Sequence, residues 1–92
     1  MIHTFACGDT EALFSSKPVP RFKNIERVAR RKLLELAAAT ELNSLRIPPA
    51  NHLELLKGNR KGQHSVRINS QWRLCFVWQI DGAYDVEIVD YH

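Results

Sequence analysis

Two short runs in the second half of the chain place an apolar residue at every other position. Val66 and Ile68 flank Arg67, and Trp72, Leu74 and Phe76 alternate with Arg73 and Cys75. A period of two marks strands with one apolar and one polar face. With Asn69-Ser70-Gln71 as a three-residue hairpin loop, Ile68 faces Trp72 and Val66 faces Leu74. The same register sets Arg67 opposite Arg73 on the polar face. Like charges directly across a strand pair repel, so an anion or an acidic neighbour is expected there. Trp72 and Trp78 fall on the apolar side and read as core.

Upstream the period changes. Ile25, Val28, Ala29, Leu33, Leu36 and Ala37 recur at three- and four-residue spacing. That predicts a helix over residues 21–39 with one face to lay on a sheet. Arg27, Arg30 and Arg31 populate its outer side and read as a solvated surface. Residues 2–7 are mostly apolar and end at Gly8, which predicts a first strand. Asp9 then caps a brief helix through Phe14, and residues 15–20, with two prolines, read as a connection. Residues 40–45 suit one more helical turn before Pro48-Pro49 forces an extended path.

A strand is expected over residues 52–56, followed by a turn hinged at Gly58 and Gly62. A last strand over residues 83–90 follows the Asp81-Gly82 turn dipeptide. A strict two-residue loop there would put Phe76 opposite Glu87, mixing core and solvent faces. A looser or bulged connection shifts the pairing by one residue, restores the apolar face and brings Tyr91 to Arg73's side. The predicted class is α+β: an N-terminal strand, then helices packed on one face of a four-strand antiparallel meander. Residues 1–92 read as a single domain.

Composition bounds the function. A chain with 45% hydrophobic and 25% charged residues is folded rather than disordered. The net charge of +3 is mild, but its distribution is not. Between Leu55 and Ile80 there is no Asp or Glu, while Lys57, Arg60, Lys61, Arg67 and Arg73 all occur. Such a face suits polyanions. Cys7 and Cys75 match neither a metal-ligand spacing nor a secreted disulfide framework. With no membrane-length apolar run and no signal peptide, the chain is expected to be cytoplasmic, its thiols reduced, with no metal or cofactor. His3 and His64 read as structural or surface residues.

Leu56-Lys57-Gly58, Trp72-Arg73-Leu74 and a chain ending in Asp90-Tyr91-His92, behind an N-terminal strand and a helical segment, resemble the RelE/ParE toxin superfamily and within it the HigB branch. The resemblance covers nearly the full length. It implies a toxin of a type II toxin–antitoxin system, a ribosome-dependent endoribonuclease that cuts messenger RNA in the A site of the 70S ribosome. The implied partner is a HigA-type helix-turn-helix antitoxin that also represses its operon, so that DNA is met only through the antitoxin.

RNA cleavage needs a base for the 2′-hydroxyl, cations for the phosphate and a proton for the leaving 5′-oxygen. Arg73, with its rigid fork, is expected on the phosphate; otherwise it pairs with an acid at the sheet surface, Asp90 for example. Lys57 adds a second charge. Arg60, Lys61 and Arg67 are expected to position the RNA backbone, although Arg60 and Lys61 read equally well as a solvated loop tip. From the resemblance, Tyr91 contacts the phosphate or a base, His92 moves protons, and Asp90 accepts from an arginine or orients the substrate. One position departs from the HigB pattern: Glu54 stands where that pattern has a histidine, with His52 nearby on the same strand face. Glu54 is either the base or a neutraliser of Lys57 or Arg67. Two other functions fit less of the pattern, a ParE-like gyrase inhibitor and a non-catalytic RNA-binding domain.

Overall fold

The computed structural model describes residues 1–90. Four strands pair antiparallel in chain order: β1 (Glu54–Leu55), β2 (His64–Arg67), β3 (Trp72–Gln79) and β4 (Gly82–Asp90). Helices α1 (Gly8–Phe14) and α2 (Glu26–Ala38) lie against β3 and β4 on one face. The α+β class is as predicted. No helix among the described residues is long and apolar enough to cross a membrane.

The β2–β3 hairpin has the predicted register, with Val66 opposite Leu74 and Arg67 opposite Arg73. Asn69 holds its loop. Its side-chain oxygen accepts from the backbone N–H groups of Gln71 and Trp72, both at 2.8 Å, an Asx turn in which a side chain imitates the main chain.

The β3–β4 connection differs from expectation. Gln79 pairs with Gly82, so the loop is Ile80-Asp81 and Gly82 already belongs to the strand. The shift that restores the apolar face comes later, from a bulge between Cys75 and Val77. The extra residue is Asp85, at φ +53°, and the hydroxyl of Thr4 accepts its N–H at 2.8 Å. Beyond the bulge Leu74 faces Ile88 and Trp72 faces Asp90.

The expected first strand is reduced to two isolated parallel bridges, Ile2 to Ala83 and Phe5 to Val86. The bulge lies between them and interrupts the ladder. Gly82 is essential to this approach: at φ +135°, any Cβ there would collide with the Met1 carbonyl. That carbonyl accepts from the Ala83 N–H at 2.9 Å.

The core joins Leu13, Phe22, Ala29, Leu33 and Leu36 to Val66, Leu74, Phe76, Val86 and Ile88. Each Leu, Ile, Val or Phe among them contributes about 1.5–3 kcal/mol on full burial. Trp72 meets Phe22 edge-on at 5.5 Å, and Trp78 packs partly buried against the same cluster. The main helix begins at Glu26, later than predicted, because a 3-10 turn at Pro20–Phe22 drives Phe22 into the core. Asp9 is not a cap; it sits in the first turn of α1 and pairs with Arg21 at 3.0 Å. Arg30 is no mere surface charge either. It donates to the Leu13 and Lys17 carbonyls, each at 3.2 Å, and to Glu26 at 2.7 Å, tying α2 to the end of α1.

The predicted strand over residues 52–56 shrinks to Glu54–Leu55. His52 lies outside it, left-handed at φ +45°, ψ +54°, closing a 3-10 turn at Pro49–Asn51. A two-residue edge strand offers little for unwanted pairing.

Candidate functional site

On the sheet face away from the helices, strand alternation lines up Glu54, Ser65, Cys75 and Glu87, one from each strand. The next row toward the Asn69 loop holds Arg67, Arg73 and Val89. Arg73 is the centre of this face. Its Nε donates to the Ser65 hydroxyl at 2.8 Å, and its Nη2 donates to the His52 carbonyl at 2.7 Å. The same Nη2 lies 3.2 Å from the Glu54 carboxylate. The Arg73 side chain is only 11% exposed, whereas that of Glu54 is half exposed. A guanidinium anchored through Nε and Nη2 is a fixed fork, and a fixed fork recognises a phosphate with little loss of side-chain freedom.

The acidic neighbour expected beside the Arg67–Arg73 pair is therefore Glu54. Asp90 is opposite Trp72, on the other face of the sheet by alternation, where it accepts from the Gln71 side chain at 3.1 Å. This corrects its expected placement with Arg73. His52 contributes its carbonyl rather than a strand-borne imidazole, because its left-handed backbone takes it out of the ladder.

The remaining cations separate into two groups. Arg60, expected on the RNA, turns inward. Its Nη1 donates to Gln63 at 3.0 Å and meets Glu87 at 3.2 Å, so the Gly58–Arg60 turn is pinned to β4. Lys57 and Lys61 are exposed and Arg67 half-buried, and none of the three has an ion-pair partner among the described residues. Arg67 is the charge this face presents to solvent, while Lys57 and Lys61 flank the Gly58–Arg60 turn. Tyr91 and His92 lie outside the described residues.

Cys75 sits in the row but is fully buried, and burial pushes its thiol pKa up. It is sheet filling rather than a nucleophile. Ser65 escaped the sequence reading, although it stands two residues before Arg67 and so shares its face. Glu87 escaped too, since the residue it neutralises is 27 positions away.

A family model for the RelE-like toxin of the type II toxin–antitoxin system HigB matches residues 15–92. The chain is 50% identical over 60 residues to Toxin HigB-1 of Vibrio cholerae, covering 65% of this chain and 62% of that protein. It is 39% identical over 72 residues to an uncharacterized protein of Haemophilus influenzae, covering 78% of this chain and 64% of that one. The chain thus spans a little under two thirds of the length of either relative. Among solved structures, a chain of the YoeB-YefM complex from Staphylococcus aureus aligns over 100% of this chain and 98% of its own. The TM-score is 0.62 at 20% identity, a likeness of fold. A heterotetrameric YoeB-YefM complex from the same organism gives 0.61 at the same identity and coverage. On the family match, the chain belongs to the HigB-like family of RelE-like toxins of type II toxin–antitoxin systems.

Proposed function

We propose that this toxin is a ribosome-dependent endoribonuclease that cuts messenger RNA in the A site of the 70S ribosome. The observation that carries this reading is the anchored Arg73 guanidinium, set on the open sheet face beside Arg67, which has no ion-pair partner among the described residues. Arg73 holds the scissile phosphate and meets the charge that grows on its oxygens. Glu54, half exposed and 3.2 Å from Arg73, takes the proton of the 2′-hydroxyl. The 2′-oxygen then bonds to phosphorus as the bond to the 5′-oxygen breaks, leaving a 2′,3′-cyclic phosphate. His92 returns a proton to the leaving 5′-oxygen, and Tyr91 contacts the phosphate, roles drawn from the family resemblance. Lys57 adds charge near the reacting phosphate, while Lys61 and Arg67 guide the RNA strand. Asp90, on the far face, orients the end of β4 rather than the substrate.

The proposed partners are the ribosome with its message and a HigA-type helix-turn-helix antitoxin. DNA contact is indirect, through that antitoxin, and the setting is the cytoplasm. The direct test compares purified protein on naked RNA with the same message on programmed 70S ribosomes. Cleavage is expected on the ribosome and little on naked RNA. Equal cutting of both defeats ribosome dependence, and no cutting of either, with gyrase inhibited instead, moves the chain to the ParE-like activity.

A further inference from the structure

We propose that Asn51, together with Lys32, is a positioning residue for Arg73, acting from the helical side of the sheet through the backbone of His52. Both are buried polar side chains, Asn51 1% and Lys32 7% exposed. The Lys32 ammonium on α2 donates to the Asn51 side-chain oxygen at 2.5 Å and stands 3.5 Å from Glu35. The Asn51 amide donates in turn to the Leu45 carbonyl at 3.1 Å. An apolar residue at either position would avoid the desolvation of these groups, so packing alone does not account for them.

What the pair secures is the next peptide. Asn51 ends the 3-10 turn, and His52 follows in a left-handed conformation that non-glycine residues adopt only when neighbours hold them there. That conformation presents the His52 carbonyl to Arg73 Nη2 at 2.7 Å. Two residues later Glu54 reaches the same nitrogen. Two of the contacts that orient Arg73 among the described residues therefore come from a segment whose near end is fastened by Asn51. With that fastening gone, His52 relaxes toward an ordinary backbone basin and its carbonyl leaves Arg73. Among the described residues the guanidinium then depends on Ser65 and on Glu54, the group that must be free to act as base.

This inference rests on the proposed reaction for its catalytic consequence but not for its structural one, and the experiment separates them. The Arg73 Nε–H signal is followed in ¹⁵N–¹H spectra of wild type, Asn51→Leu, Asn51→Asp and Lys32→Met, with Arg60 as an internal reference. Asn51→Leu is expected to move and broaden the Arg73 signal while leaving that of Arg60 in place. Asn51→Asp, which keeps an acceptor for Lys32, should restore part of the shift. On programmed ribosomes kcat should fall roughly 10- to 100-fold, the scale of a small misplacement of a catalytic group, with KM nearly unchanged. A lower melting temperature with an unmoved Arg73 signal overturns the proposal. Should Asn51→Leu fail to fold, Lys32→Met gives the same reading, with Asn51→Asp as the milder case. If the Arg73 signal moves but wild type cuts no RNA, the positioning role stands and the reaction assignment falls.

Discussion

At the residue scale the molecule depends on how Arg73 is held. Its position on the face away from the helices suggests that truncation is harmless to the fold, but the structure shows a deeper cost. Arg73→Ala strips the buried Ser65 hydroxyl of its donor, and an unpaired buried hydroxyl costs about 1–3 kcal/mol. Arg73→Ala is therefore expected to lower the melting temperature modestly and cleavage much more, by ~100- to 1,000-fold, as for loss of one transition-state donor. Arg73→Lys keeps the charge but cannot satisfy Ser65 and His52 together, so it should recover stability better than rate. Wild-type cleavage by folded Arg73→Ala removes the phosphate assignment.

His64 makes a second residue-scale prediction. Its ring stacks on Phe76 at 6.3 Å, and its Nδ1 is buried without a hydrogen-bond partner. Burial, then the Arg46 charge, lower its pKa below the usual 6.5. The unfolded chain then holds the proton more tightly than the folded one. Stability should fall as pH drops through about 6.5 and level off below the folded pKa. Melting curves between pH 7.5 and 5 should show this slope in wild type and a shallower one in His64→Phe. An unchanged slope would place the titrating group elsewhere.

At the element scale, β4 is built by contacts from the far end of the chain. Thr4 holds the bulge residue Asp85 from 81 positions away, and the Thr10 hydroxyl accepts from the Ile88 N–H at 3.0 Å. At Gly82 the N-terminal segment leaves no room for a Cβ. Gly82→Ala should destabilise by about 1–3 kcal/mol through its left-handed backbone, with a further loss as Met1 is displaced. Deleting residues 1–3 should cost less in Gly82→Ala than in wild type, since the two changes remove the same contact. Urea melts of the four proteins read this directly, and simple additivity would mean that Met1 is not the obstacle.

At the scale of the whole molecule, the two sheet faces divide the labour. One is sealed by α1 and α2; the other carries the anchored Arg73 and Arg67, with Lys57 and Lys61 at the Gly58–Arg60 turn. Charge on that face and at that turn should act mainly on encounter with RNA. Lys61→Gln with Arg67→Gln is expected to weaken ribosome binding and flatten its salt dependence by nearly two charges, while kcat at saturation stays close to wild type. Binding measured across a salt series checks the first part, and single-turnover cleavage the second. A kcat loss as large as that of Arg73→Ala would move Arg67 into the chemistry.

The local pattern determined what short-range periodicity can carry. The β2–β3 register followed from alternation and a three-residue loop, and the buried side of α2 from three- and four-residue spacing. The need for an anion or an acid beside Arg67 and Arg73 followed from their like charges. Which acid answers that need was decided only by the fold. Asp90, next to the family motif, goes to the other face, and Glu54 comes in from an edge strand only two residues long. The inward turn of Arg60 and the left-handed His52 were likewise illegible; the one-residue shift of β4 was expected, but not that its bulge falls at Asp85 rather than at the connection. Each depends on a partner many positions away, and residue spacing along a chain reports the face a side chain takes but not the distant group that meets it there.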